Sequence, residues 1–106
     1  KTEKLISKTV ISSMKKTSYL INVSRGTVIE EKALINSLKN NKIKGAALDV
    51  FFNEPKINPI FKKLNNVILH PHHGSGTIET RNAMAQLSCM NLINFFKKGK
   101  PLHKVI

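Results

Sequence analysis

Gly45-Ala46-Ala47-Leu48-Asp49-Val50 is a short apolar run that ends in one acid. It is too short for a stable helix, and it reads as a strand. Asn40 and Asn41 precede it as helix-stopping residues, and a loop containing Pro55 and Pro59 follows. Working outward, Tyr19-Leu20-Ile21-Asn22-Val23 and Val67-Ile68-Leu69 are two more apolar runs of strand length. Between the first two, Ala33, Leu34, Ile35 and Leu38 share one side of a helix predicted over residues 30–41, with Glu30 and Glu31 in its first turn. Leu5, Ile6, Val10, Ile11 and Met14 form a helical stripe over residues 2–16, with Lys15 and Lys16 at its end. A long helix is predicted from Ile78 to Lys98, stopped by Gly99 with Pro101 just beyond.

The order is helix, strand, helix, strand, loop, strand, helix. Continuous apolar strands alternating with helices imply an α/β fold, a parallel sheet covered on both faces. Right-handed crossovers then bring the C-terminal strand ends to one edge. Ligands bind such sheets in the crevice beyond that edge. Polar residues do follow each strand: Ser24-Arg25-Gly26 after the first, Asp49 and then Glu54 after the second, and His70-Pro71-His72-His73-Gly74-Ser75 after the third.

Each of these residues has a bland reading. Arg25 can pair at a strand end, Asp49 can satisfy amides of a neighbouring loop, and Glu54 and His72 can be solvated loop residues. Three histidines within four residues raise a metal, but no Cys or second His pair stands at ligand spacing. Taken together, the residues form a chemical set. A guanidinium grips a carboxylate through two parallel donors. An imidazole passes a proton to or from the adjacent oxygen, and a carboxylate beside it favours the charged ring. That set suits reduction of a 2-oxo acid by hydride from a cofactor.

The bulk numbers narrow the alternatives. The 106 residues suffice for one small domain, and 41% hydrophobic content is ordinary for a globular chain. The net charge of +12 comes from sixteen Lys and two Arg against six acids. The lysines are spread along the whole chain, and aromatics for base stacking are few, so they read as a solvated surface and not as a nucleic-acid face. No apolar run approaches the roughly 20 residues of a membrane helix. The single Cys89 fits a reducing, cytoplasmic setting. The remaining alternatives are a non-catalytic basic α/β binding module and an inactive relative of an enzyme.

Three segments carry a resemblance. Residues 19–26, Tyr19-Leu20-Ile21-Asn22-Val23-Ser24-Arg25-Gly26, resemble the Leu-Ile-Asn-x-x-Arg-Gly signature of D-isomer-specific 2-hydroxyacid dehydrogenases. Residues 46–55 resemble its Leu-Asp-Val-x-x-x-Glu-Pro segment, and residues 66–75 its Asn-Val, Pro-His-x-Gly-Ser segment. Met14-Lys15 stands where the family has Met-Lys. Residues 21–26 and 72–77, followed by 80–84, resemble, within the family, the glyoxylate and hydroxypyruvate reductases.

The resemblance implies a partial Rossmann-type parallel sheet with flanking helices and a hydride cofactor, NAD or NADP. It implies a small 2-oxo or 2-hydroxy acid as substrate, no nucleic-acid or membrane partner, and a homodimer for the complete protein. Arg25, Glu54 and His72 are the implied catalytic residues. Arg25 holds the substrate carboxylate and His72 exchanges the proton. Glu54 hydrogen-bonds His72 and favours its charged form. Val23, Ser24, Arg25, Asp49, His72, Gly74 and Ser75 are the implied cofactor-lining set, with Asp49 near the nicotinamide carboxamide.

The sequence departs from the family at two places. His70 stands where Thr or a small residue is commoner, and His73 where an aliphatic residue is usual. The family's Gly-x-Gly-x-x-Gly turn belongs before residue 1. Residues 1–98 are therefore read as the C-terminal portion of the nucleotide-binding domain, and residues 99–106 as a tail returning toward a substrate domain. Such a piece is expected to expose an apolar sheet edge, to bind cofactor poorly and to turn over nothing measurable by itself.

Overall fold

A computed structural model describes residues 2–104. The chain divides into two compact units, residues 1–74 and 75–106.

The first unit is built on a three-stranded parallel sheet, ordered β1 (Tyr19–Asn22), β2 (Gly45–Leu48), β3 (Val67–Leu69). Its register pairs Leu20 with Ala46 and Ala46 with Val67; one step on, Ile21 pairs with Ala47 and Ala47 with Ile68. Alternate residues point to opposite faces. Leu20, Ala46 and Leu48 therefore face the core, where they join Ile11 of α1 (Lys8–Ser12), Ala33, Leu34 and Leu38 of α2 (Glu31–Lys39), and the loop residues Ile29, Ile43 and Phe61. The other face carries Tyr19, Ile21 and Ile68, the last two each 70% exposed. The expectation of a sheet covered on both faces is thus corrected. The runs are mostly apolar, yet among the described residues only one of their two faces is packed, and the open apolar surface is a face as well as an edge.

The first helix is also shorter than its stripe predicted. Residues before it are drawn into an extended pairing, an isolated parallel bridge between Ile6 and Ile29. Ser7 caps α1 by accepting from the Val10 amide, and Glu30 Oε2 accepts from the Lys8 amide at 2.8 Å. At the far end the Ser13 hydroxyl donates to the Val10 carbonyl at 2.8 Å, so a side chain competes for the last helical acceptors. Lys15 and Lys16 consequently lie in the turn beyond the helix. The second helix ends as expected: Asn40 is its C-cap and Asn41 adopts φ 49°, the left-handed conformation that stops helices.

The second unit contains α3 (Ile78–Lys98). The Thr77 hydroxyl caps it by accepting from the Thr80 amide at 3.2 Å. Glu79 and Lys97-Lys98 complement the dipole at its two ends, and Gly99 closes it at φ 71°. The tail folds back on the helix: Asn94 Nδ2 donates to the Lys100 carbonyl at 2.7 Å, and the His103 amide donates to Asn91 Oδ1 at 2.9 Å. The last two residues of the 99–106 tail lie outside the described residues. Among the described residues no helix is long and apolar enough to cross a membrane.

Candidate active site

All three parallel strands of the first unit end on the same side, and the loops that leave them carry the polar residues singled out above. The first of these loops is shaped by Asn22, the last residue of β1, which is buried. Its Oδ1 accepts from both the amide and the hydroxyl of Ser24, at 3.0 and 2.9 Å, and its Nδ2 donates to the Arg25 carbonyl at 3.0 Å. One side chain thereby dictates the turn that presents Ser24 and Arg25. At Gly26 the loop meets the second loop. A Cβ there would stand 1.9 Å from the carbonyl carbon of Phe51, so only glycine permits this approach.

The second loop places Glu54. Its Oε1 accepts from the Phe51 amide at 2.7 Å, and its Oε2 meets His72 Nδ1 at 2.6 Å. Both carboxylate oxygens are therefore occupied. The hydrogen bond from His72 is the largest cause holding the Glu54 carboxyl below its ordinary range. The Phe51 amide adds to it, and the positive charge of Arg25 makes a smaller contribution. Arg25 is thus near enough to act on Glu54, although its Nη1 donates to the Ser24 carbonyl at 2.7 Å.

The third loop is tied down by Asp49. This buried carboxylate accepts from the His73 amide on Oδ1 and from the Gly74 amide on Oδ2, both at 2.8 Å. His70 Nδ1 stands 2.7 Å from Oδ1. These bonds, with the His70 ring as the largest cause, lower the Asp49 pKa from 3.8 to about 2. Between the two anchoring points, His72 takes φ 55°, a left-handed conformation uncommon outside glycine.

His72 and Glu54, with His70, Lys62 and the apolar Phe51, Pro55, Ile57 and Leu69, line an open cavity of about 420 Å³. Arg25 is not among the lining residues. Val23 and Ser24 are exposed at the end of β1. Gly74 closes the first unit, and a Cβ on it would press to 3.1 Å from Asp49 Oδ2. Ser75 opens the second unit with φ 65°. The structure therefore joins His72 to Glu54 and puts Arg25 within electrostatic reach, while it engages the Asp49 side chain with the third loop.

Residues 1–74 match the family model described as D-isomer specific 2-hydroxyacid dehydrogenase, NAD binding domain. The chain belongs to this family. It is 44% identical over 102 residues to the 2-ketogluconate reductase of Gluconobacter oxydans, an alignment covering 96% of this chain and 33% of that protein. Among solved structures it resembles an NADPH-dependent glyoxylate/hydroxypyruvate reductase from Sinorhizobium meliloti in complex with NADP and malonate. There the identity is 41% and the TM-score 0.92, with 98% of this chain and 33% of that chain covered. A glyoxylate reductase from Paecilomyes thermophila gives a TM-score of 0.93 at 35% identity, covering 98% of this chain and 32% of that one. The chain thus spans about a third of the length of these relatives.

Within this dehydrogenase segment, sequence reasoning missed Asn22 as the residue that forms the Ser24-Arg25 turn. The signal was present, since an Asn at a strand end two residues before a Ser is the pattern of an Asx turn. The rings of His70 and His73, 5.5 Å apart in an edge-to-face arrangement, were visible only once the loop closed on Asp49.

Proposed function

We propose that this chain supplies the substrate-reducing half of the nucleotide-binding domain in an NAD(P)-dependent 2-hydroxyacid dehydrogenase, acting on a small 2-oxo acid such as glyoxylate or hydroxypyruvate. The observation that carries the reading is the 2.6 Å contact between His72 Nδ1 and Glu54 Oε2 at an open cavity. Engaging Nδ1 orients the ring and leaves Nε2 free for a substrate oxygen. The protonated ring gives its proton to a carbonyl oxygen during reduction. In the reverse direction the neutral ring takes that proton back.

Arg25 binds the substrate carboxylate. To do so its guanidinium exchanges the Ser24 carbonyl for the anion, a stronger partner because both groups are charged. The residues at hand fit a dinucleotide's reactive end. Val23 offers an exposed apolar surface, Ser24 a hydroxyl, and Gly74 a position without a side chain. When bound, that cofactor supplies the hydride. Val23, Ser24 and Gly74 would hold it, while Asp49 acts on it indirectly by fixing the loop that carries Gly74. In this reading residues 1–98 are the C-terminal portion of the nucleotide domain, and the complete protein is a cytoplasmic homodimer.

The test is cofactor-dependent reduction by the complete protein, followed through nicotinamide absorbance with glyoxylate and hydroxypyruvate. Arg25→Ala and His72→Ala should each lower kcat/KM by roughly a hundredfold or more while leaving the fold intact. Near-native rates in both variants would remove the mechanism. Salt-dependent retention of nucleic acid in place of turnover would favour a basic binding module.

A further inference from the structure

The third loop supplies the histidines of two histidine–carboxylate pairs, and only one pair belongs to the mechanism above. The second is His70 Nδ1 with Asp49 Oδ1, at 2.7 Å. Its carboxylate is buried, while its ring is more than half exposed and lines the same cavity as His72 and Glu54. The backbone explains what the pair could do. The His70 amide donates to the Leu48 carbonyl at 2.9 Å, extending the ladder beyond β3, and the His72 amide donates to the His70 carbonyl at 3.1 Å. The chain then turns through the left-handed His72 and reaches the His73 and Gly74 amides, both bound to Asp49. His72 is therefore bracketed by residues fastened to one carboxylate, through a ring on one side and two amides on the other.

We propose that His70 is a positioning residue for His72: its Nδ1–H donates to the Asp49 carboxylate and so fixes the left-handed turn on which the proton-transferring ring stands. A non-glycine residue at positive φ stays there only when its surroundings over-determine it. Without the ring, Asp49 keeps the two amides after His72 and loses its hold before it. The turn then relaxes at the residue whose ring must aim at the substrate. A small misplacement of a reacting group lowers turnover far more than it lowers binding. His70 touches neither substrate nor cofactor in this account. It acts through Asp49 on His72.

The inference rests on the reductase reading for its kinetic test but has a spectroscopic test of its own. In the complete protein, His70→Leu removes the donor, whereas His70→Asn places an amide nitrogen close to where Nδ1 stands. His70→Leu should lower kcat by on the order of tenfold to a hundredfold with little change in KM, and His70→Asn should recover most of that loss. Nitrogen-15 spectra of the histidine rings should show His70 carrying its proton on Nδ1. The His72 ring signals should shift or broaden in His70→Leu and return toward wild type in His70→Asn. A bare Nδ1 on His70, or kcat and His72 signals unchanged in His70→Leu, would overturn the proposal. If His70→Leu does not fold, the proton position on His70 and the kcat of His70→Asn decide. If the wild-type protein reduces no 2-oxo acid, the reductase reading fails, and the ring spectra of the variants still judge His70.

Discussion

At Asp49 two oxygens receive three donors, and the consequences are measurable as pH dependence. Its folded pKa is about 2 against an ordinary 3.8, so the unfolded chain takes up a proton before the folded one does. The stabilisation is fully present above the unfolded value and is lost as pH falls from about 4 through about 2. Glu54, depressed in the same direction chiefly by its bond with His72, adds to that acid limb. Thermal unfolding followed between pH 6 and pH 2 should therefore show a steep loss of stability at the low end. In Asp49→Asn the slope should be shallower by up to one proton, because one titrating group has gone. Equal slopes in the two proteins would mean that the carboxylate is not held as described. Glu54→Gln separates position from charge at the other pair. The amide still reaches His72 but carries no charge, so kcat should fall on the order of tenfold or more, and an unchanged kcat would show that the charge of Glu54 is not used.

At the level of elements, the site depends on how closely two loops approach. Gly26 lies against the backbone of Phe51, and the atoms a Cβ would strike are main-chain atoms that no rotamer change can move. Gly26→Ala should thus separate the Arg25 turn from the loop that carries Glu54. Activity should drop by far more than one methyl group suggests, with a loss of several degrees in Tm. A fully active Gly26→Ala would show that the loops are not packed in this way. The core beneath them should respond more conventionally: Leu38→Ala in α2, at a site 1% exposed, should cost about 2–5 kcal/mol in denaturant unfolding.

What the sequence made legible follows the same division. The strands and α3 could be placed because apolar runs and capping residues are local signals. β3 and α3 fall on their predicted residues, while β1 and β2 stop early, at Asn22, whose side chain turns onto the loop after β1, and just before Asp49, whose side chain turns onto the loop after β3. The stripe over residues 2–16 misled because a bridge to Ile29, more than twenty residues away, outweighs helical spacing in its first turn. The meeting of Glu54 with His72 was legible through their positions after strands, and Arg25 lies within electrostatic reach of it. Their supports, Asn22 and His70, were not, because what those residues do depends on partners that only the closed loops bring near.

For the molecule as a whole, the open sheet face sets the behaviour of the isolated chain. Ile21, Ala47 and Ile68 align across β1, β2 and β3 on this face, and the two isoleucines are largely exposed. Tyr19 extends the surface, with the Lys44 ammonium 5.5 Å from its ring centroid. An aligned apolar strip of this kind on a parallel sheet is normally covered, and when left open it drives association or dye binding. The 106-residue chain should therefore enhance the fluorescence of an apolar dye and self-associate as its concentration rises in sedimentation. Ile21→Thr with Ile68→Thr should weaken both effects while keeping strand propensity, because threonine is also β-branched. The buried face that holds Leu20, Ala46 and Leu48 is untouched by these changes, so far-ultraviolet dichroism should stay the same. A wild-type chain that remains monomeric and silent toward the dye would show that this face is protected. Association unaltered in the double variant would move its cause elsewhere, with the exposed Phe95 and Phe96 of α3 the next surface to substitute.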